Sequence, residues 1–148
     1  LDFEGEVLMD VVSRALQIKA AVVSDDEREH GLRAILNYGH TIGHAMEVAE
    51  GSILSHGEAV ALGMLAESAW AKEKFGIPRV HERLLEALNA LGAPTHWRQA
   101  PLDWDALALD KKRQGAHIKL PVVGAVGEVR IEAVDLRELA DFIRRRMD

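Results

Sequence analysis

The packing and the chemistry of this chain centre on two nearby stretches, NYGHTIGHA at residues 37–45 and SHGEAVALGM at residues 55–64. Glycine costs about 1 kcal/mol in a helix interior, so Gly39 and Gly43 indicate that something approaches the backbone closely. In the second stretch a serine precedes a glutamate by three residues, which is a capping box, and it predicts a long helix ending near Phe75. We expect that helix to pack on another one through small residues: Ala59, Gly63 and Ala66.

Apolar spacing and breaker residues predict the remaining elements. Further helices are expected over Glu6–Val23, Arg79–Leu91, Trp104–Arg113 and Leu136–Met147, the last capped by Asp135. Two β-type runs, Ile118–Val123 and Glu128–Ala133, flank Gly-Ala-Val-Gly and read as a hairpin. The predicted fold is therefore mainly α, a helical domain with a small β hairpin near the C-terminus.

Composition limits the class of protein. The chain has 148 residues, a net charge of −6, 48% apolar residues and no cysteine, which is typical of one globular domain and excludes disulfide and thiolate metal sites. The acidic balance argues against nucleic-acid or membrane-surface partners. With no spanning run and no signal peptide, we expect a cytoplasmic protein. Because the chain opens on Leu1, we also expect it to be a fragment.

Three of the seven histidines fall within seventeen residues. His40 and His44 are four residues apart and share a helix face, a common way to hold zinc, and His56 follows the Ser55 cap, where a ligand can point inward. Glu47 could orient an imidazole. The alternative reading is that these are hydrogen-bonded structural histidines, since no glutamate lies between the first two as it does in HExxH.

Charged residues in apolar surroundings suggest an anionic substrate. Lys19 lies among alanine, valine and isoleucine. Arg33 precedes Asn37 by four residues, so Arg33 and Asn37 would share a helical face leading to the histidines. Asp110-Lys111-Lys112 follows another apolar run. A surface lysine and a helix C-terminus are the ordinary readings of these positions. Basic side chains converging on a metal site favour a carboxylate or phosphate ligand.

Taken together, these residues closely resemble 3-dehydroquinate synthase. The resemblance covers nearly the whole chain but only the C-terminal, mostly helical half of that enzyme. It rests on three segments: Lys19-Ala20-x-Val22-Val23-x-x-Asp26-x-x-Glu29-x-Gly31-Leu32-Arg33, then Arg33-x-x-Leu36-Asn37-Tyr38-Gly39-His40-Thr41-x-Gly43-His44-Ala45-x-Glu47, then His56-Gly57-Glu58-Ala59-Val60-Ala61-x-Gly63-Met64. Asp110-Lys111-Lys112 with a following β ribbon also fits.

The resemblance implies roles for individual residues. His40 and His56 would be zinc ligands, with a glutamate upstream of Leu1 as the third. His44 would be an acid/base residue near the departing phosphate, and Glu29 would accept a proton. The implied substrate contacts are Lys19, Arg33, Asn37, His56 and either Lys111 or Lys112, with Lys112 favoured.

The resemblance also implies a reaction and its cofactors. The family converts 3-deoxy-D-arabino-heptulosonate 7-phosphate, a phosphorylated keto acid, to 3-dehydroquinate in the shikimate pathway and eliminates phosphate. It uses NAD and zinc or another divalent metal such as cobalt. No GxGxxG turn occurs in this chain, so NAD would be bound mainly by an absent N-terminal domain. We expect residues 1–148 to be one domain, the C-terminal half of a two-domain homodimeric lyase, folded but inactive alone.

Other functions compete with this one. A sister sugar-phosphate cyclase, such as a deoxy-inosose or valiolone synthase, shares the histidines but alters the carboxylate and phosphate contacts. A metal-dependent alcohol or polyol dehydrogenase would not need Arg33 with Asn37. A non-catalytic helical interaction module would not need the intact polar set. Arg33, Asn37 and His44 all match the dehydroquinate pattern, which favours the first reading.

Overall fold

A computed structural model of the chain describes residues 5–25, 32–107 and 117–147. Two 3₁₀ helices lie at Leu32–Asn37 and Trp97–Gln99. The other elements are helices α1 (Gly5–Asp25), α2 (His40–Glu47), α3 (His56–Phe75), α4 (Pro78–Ala90) and α5 (Leu136–Met147) and strands β1 (His117–Ala125) and β2 (Glu128–Asp135). The mainly helical fold with one hairpin is confirmed. Within these ranges, no helix is long and apolar enough to cross a membrane.

Helix α3 is the centre of the core. Its buried residues occupy most of its circumference, and it contacts α2, α4, α5, β1 and the 3₁₀ helix at Trp97–Gln99. A helix that is buried on all sides must lie among several partners. The predicted capping box is present, since Ser55 Oγ accepts the Glu58 backbone N–H at 3.4 Å and Glu58 Oε2 accepts the Ser55 N–H at 2.9 Å. The helix ends before Gly76, whose φ is 68°.

Helices α2 and α3 touch through their glycines. A β-carbon at Gly63 would lie 2.0 Å from the Gly39 carbonyl oxygen and 2.7 Å from the Gly43 nitrogen, and one at Gly43 would lie 2.9 Å from the Ala59 oxygen. Gly39 also has a φ of 79°, which glycine adopts most readily. The expected close helix packing is therefore confirmed, and backbone contact fixes α2 against α3.

The segment before α2 differs from the sequence prediction. The spacing of Arg33 and Asn37 predicts one α-helical face running on to the histidines, whereas the structure has a 3₁₀ helix over Leu32–Asn37 and starts α2 only at His40. The left-handed backbone at Gly39 interrupts any continuous right-handed helix. A 3₁₀ helix has three residues per turn, so residues four apart are no longer stacked.

The C-terminal part forms the predicted hairpin and last helix. β1 and β2 are antiparallel, with Ile118 opposite Val134 and Ala125 opposite Glu128, so the strands run further than predicted and leave a two-residue turn. Asp135 caps α5 by accepting the Arg137 backbone N–H at 2.8 Å. Of the helix predicted over Trp104–Arg113, residues 104–107 are helical, and the rest lies outside the described residues.

Candidate metal centre and anion-binding cleft

Three histidines converge at the exposed end of the α2–α3 pair. His40 begins α2, His44 lies one turn later, and His56 begins α3. Their ring centroids form a nearly equilateral triangle with sides of 5.4, 5.5 and 5.7 Å. One ligand atom from each residue can be chosen so that all three lie within 4.8 Å of one another. The predicted convergence of His40 and His56 is thus seen, and His44 shares it equally.

The donor set fits a divalent metal. Two nitrogens bound to one tetrahedral zinc lie about 3.4 Å apart, which small side-chain rotations reach from the observed spacing. His56 Nδ1 donates to Glu47 Oε2 at 3.0 Å, and His40 Nδ1 donates to the Tyr38 carbonyl at 3.2 Å. Both bonds leave Nε2 free and fix the ring, as partners of metal-bound histidines do. Glu47 therefore orients an imidazole as expected, that of His56.

A cationic cleft adjoins the histidines. Its volume is about 480 Å³, and its lining comprises Lys19, Arg33, Ala34, Leu36, Asn37, His40 and Lys119. Lys19 lies on α1. Arg33 and Asn37 lie on the 3₁₀ helix at Leu32–Asn37, which contacts both α1 and β1. The structure thus brings these three predicted substrate contacts into one cleft, with His40 shared between cleft and histidine cluster. Three cationic side chains in one lining favour an anionic ligand.

The remaining predicted site residues are not among those the structure describes. Glu29, the expected proton acceptor, and Asp110-Lys111-Lys112, the expected lysine contact, fall in the two gaps at residues 26–31 and 108–116. Their roles stay predictions from the resemblance. Every other predicted site residue lies in the cleft or in the cluster.

Comparison with known proteins gives this arrangement a family. The profile described as 3-dehydroquinate synthase C-terminal matches residues 1–113. The chain belongs to that family. Curated relatives named 3-dehydroquinate synthase include one from Streptococcus sanguinis strain SK36, 36% identical over 91% of this chain, and one from Pyrobaculum neutrophilum, 41% identical over 95%. The chain spans 39% and 42% of those two proteins, about two fifths of their length.

Solved structures of related cyclases share the fold of this dehydroquinate synthase-like domain. A 2-deoxy-scyllo-inosose synthase complexed with carbaglucose-6-phosphate, NAD⁺ and Co²⁺ has a TM-score of 0.71 at 25% identity. The 2-epi-5-epi-valiolone synthase of Streptomyces hygroscopicus subsp. jinggangensis 5008, with NAD⁺ and Zn²⁺ bound, has a TM-score of 0.73 at 23% identity. Each match covers 97% of this chain and 42% or 41% of the solved one.

Two residues of this dehydroquinate synthase-like site escaped the sequence prediction. Lys119 lies on β1 between the buried Ile118 and Leu120, and its side chain faces the cleft on the opposite side of the strand. A lysine alternating with apolar residues in a strand reads as ordinary solvent exposure. The second residue is Glu67, which is 1% exposed and lies one helical turn beyond Gly63, on the same face of α3 that packs against α2.

Burial dominates the electrostatics around Glu67. Desolvation raises the pKa of this carboxyl to about 8, while the hydrogen bond from the Gly39 amide and the nearby Ile42 and Thr41 amides lower it in part. Its Oε1 atom makes no hydrogen bond within the described part of the chain, so the lost hydration is incompletely replaced. Burial also raises the pKa of the neighbouring Tyr38 hydroxyl, and the charge of Glu67 raises it further.

Proposed function

We propose that the protein carrying this chain is a 3-dehydroquinate synthase, and that residues 1–148 are its metal- and substrate-binding C-terminal half. It would convert 3-deoxy-D-arabino-heptulosonate 7-phosphate to 3-dehydroquinate with elimination of phosphate. The observation that carries the proposal is the histidine cluster, which shares His40 with a cleft lined by Lys19, Arg33 and Lys119. A metal centre beside an anion site is what a phosphorylated keto acid requires.

The charge of the cleft supports this substrate. A phosphate monoester carries about −2 at neutral pH, and a carboxylate adds −1, so the keto-acid phosphate carries about −3. The described lining supplies three cations, Lys19, Arg33 and Lys119. We assign Arg33 to the carboxylate, because its planar guanidinium can bind both oxygens at once.

The three histidines have different proposed roles, metal binding and proton transfer. His40 and His56 would hold the metal through Nε2, oriented by the Tyr38 carbonyl and by Glu47, and a third ligand would come from outside this chain. When bound, the metal would stabilise charge on a substrate oxygen and NAD would accept and return a hydride. His44, which lies against both other rings, would move a proton at the leaving phosphate, since a neutral imidazole can do so near pH 7.

The rest of the proposal follows the resemblance. Glu29 accepts a proton, Lys112 or Lys111 adds a further substrate contact, and Asn37 binds the substrate from the cleft wall. An N-terminal domain binds most of NAD, and the whole protein is a cytoplasmic homodimer. The chain alone is inactive, because the NAD site and one metal ligand lie elsewhere in the protein.

A sister cyclase is the second candidate, favoured by the solved deoxy-inosose and valiolone synthases with the same fold. The identity to curated 3-dehydroquinate synthases, 36–41%, exceeds the 23–25% identity to those two cyclases. Higher identity and the charge of the cleft both support the dehydroquinate reaction over the sister reactions.

The deciding experiment is a substrate comparison in the complete natural protein with NAD and Zn²⁺ or Co²⁺. We expect phosphate release from the keto-acid phosphate, with 3-dehydroquinate as product, and none from glucose 6-phosphate. Phosphate release from glucose 6-phosphate alone would make the protein a sister cyclase. No release from either compound, by a folded protein that binds NAD and metal, would refute both the dehydroquinate reaction and the deoxy-inosose reaction.

A further inference from the structure

Helix α2 begins without a cap from its own chain segment. The residue before its first turn is Gly39, which has no side chain to accept the free amides, and no side-chain cap is formed from that position. The first amides of a helix need an acceptor when they are buried. Gly39 and Ile42 are both buried, so water does not readily serve these amides.

Glu67 supplies the missing acceptor from α3. Gly39 N–H donates to Glu67 Oε2 at 2.8 Å. The amides of Thr41 and Ile42 lower the pKa of the same carboxyl. The bond joins residues twenty-eight positions apart, so the cap is tertiary and ties the start of α2 to the middle of α3. An acceptor at a helix N-terminus is also favoured by the helix dipole.

The capped turn carries two of the three clustered histidines, the proposed metal ligand His40 and the proposed acid/base residue His44. His40 directly follows Gly39, its ring is held by the Tyr38 carbonyl, and His44 lies one turn along the same helix. Gly39 O accepts the Gly43 N–H at 2.9 Å, so both histidines belong to the turn that Glu67 anchors. His56, in contrast, is positioned by the Ser55 cap and by Glu47.

We propose that Glu67 is a positioning residue, which caps α2 from α3 and thereby aims His40 and His44 at His56. This inference deepens the proposed function, because it concerns the same metal centre. Glu67 does not touch the ligand site and acts only through the backbone of residues 39–42. Metal ligands must be held within about 0.5 Å of their productive positions, which a frayed first turn would not achieve.

The proposal makes a specific statement about conservative replacement. The cap needs only an acceptor oxygen at the position of Glu67 Oε2, which accepts the Gly39 N–H at 2.8 Å. Glutamine offers the same oxygen in the same shape, so Glu67→Gln should keep the cap. Glu67→Leu fills similar space and removes the acceptor, so it should lose the cap.

The test compares both variants in the complete natural protein by Co²⁺ titration at pH 7 and well below the melting temperature. We expect Co²⁺ affinity within twofold of wild type for Glu67→Gln and at least tenfold weaker for Glu67→Leu. Glu73→Gln, an exposed carboxyl on the same helix paired with Arg146, should leave the affinity unchanged. Leu139→Ala, a core change in α5, should lower the melting temperature and keep the affinity.

Two further results would overturn the inference. One is a folded Glu67→Leu protein with wild-type Co²⁺ affinity, and the other is equal loss in the Gln and Leu variants. Amide exchange in metal-free wild type and Glu67→Gln gives a reading even if the Leu variant does not fold: Gly39 should be protected in both, and an unprotected Gly39 refutes the cap. If wild type binds no Co²⁺ while Gly39 is protected, the metal centre of the proposed function fails and the cap stands.

Discussion

The α2–α3 pair and helix α1 both contribute to the candidate site, but they are held in opposite ways. In the pair, backbones touch at Gly39, Gly43 and Gly63, and α3 is surrounded by the core. Helix α1 has no buried residue. Within the described residues it exposes large apolar side chains along its length: Val7, Leu8, Met9, Val11, Val12, Leu16 and Ile18.

The difference separates the two halves of the site. The histidine cluster depends on α2 and α3 alone, so the chain's own core fixes it. The position of the Lys19 ammonium depends on α1. This helix contacts the 3₁₀ helix at Leu32–Asn37, but none of the side chains of α1 is buried. Metal binding requires tight geometry, whereas attraction of an anion falls slowly with distance. The tightly packed half of the molecule therefore serves the more exacting chemistry.

The largest expected effect comes from breaking the backbone contact of the pair. Gly63→Ala places a methyl group 2.0 Å from the Gly39 oxygen, and backbone cannot swing aside as a flexible side chain can. We expect the free energy of unfolding to fall by about 3 kcal/mol, measured by denaturant titration, together with loss of Co²⁺ binding because α2 must move.

The matched control lies on the same helix. At Gly57 an added β-carbon meets nothing within 4 Å, so Gly57→Ala should cost no stability and should keep Co²⁺ affinity. Equal stability of the two alanine variants would contradict close contact between α2 and α3.

The next effect concerns the partner of His56. Glu47→Ala removes the acceptor that holds His56 Nδ1 at 3.0 Å, and losing such a partner typically weakens metal affinity about 10–100-fold. Co²⁺ titration of the complete protein measures this loss. Glu50→Ala, an exposed carboxyl three residues later, is the control, and affinity retained in both variants would remove Glu47 from the metal centre.

A smaller effect is expected in the cleft. Arg33→Lys keeps the charge but loses the two-pronged contact with a carboxylate, so binding of the keto-acid phosphate should weaken about tenfold, or roughly 1.4 kcal/mol. The KM of the complete protein gives the readout, and Arg79→Lys, exposed on α4, is the control. Unchanged kinetic constants for Arg33→Lys would dismiss its role in carboxylate binding.

Local signals in the sequence were sufficient for most of the fold. The capping box at Ser55, the glycine that ends α3 at Gly76 and the β-type runs that flank Gly-Ala-Val-Gly each act over a few residues, so they can be found without knowing the tertiary structure. The same holds for the small face of α3, because helical spacing alone places Ala59, Gly63 and Ala66 together.

The features that the sequence analysis did not predict depend on tertiary contacts. Glu67 looks like an ordinary solvated glutamate in a long helix, although its place one turn after Gly63 was a usable signal that it faces α2. Lys119 reaches the cleft only because β1 lies beside the 3₁₀ helix at Leu32–Asn37. The 3₁₀ form of that segment follows from the left-handed Gly39, whose φ the sequence does not reveal.

The smallest expected effect is on stability, from a change in the exposed helix α1 rather than in the packed α2–α3 pair. Leu16 is 61% exposed, so Leu16→Gln should change the free energy of unfolding of this 148-residue chain by less than about 0.5 kcal/mol. Leu65→Gln, at a fully buried site on α3, provides the contrast, because an unsatisfied amide in the core costs several times more. Denaturant unfolding of both variants measures the difference.

The Leu16 comparison can then be repeated in the complete protein, where a loss above about 1 kcal/mol would show that another part of the protein covers this face of α1. A large loss already in the 148-residue chain would instead mean that α1 packs on the core and that the two halves of the site are equally supported.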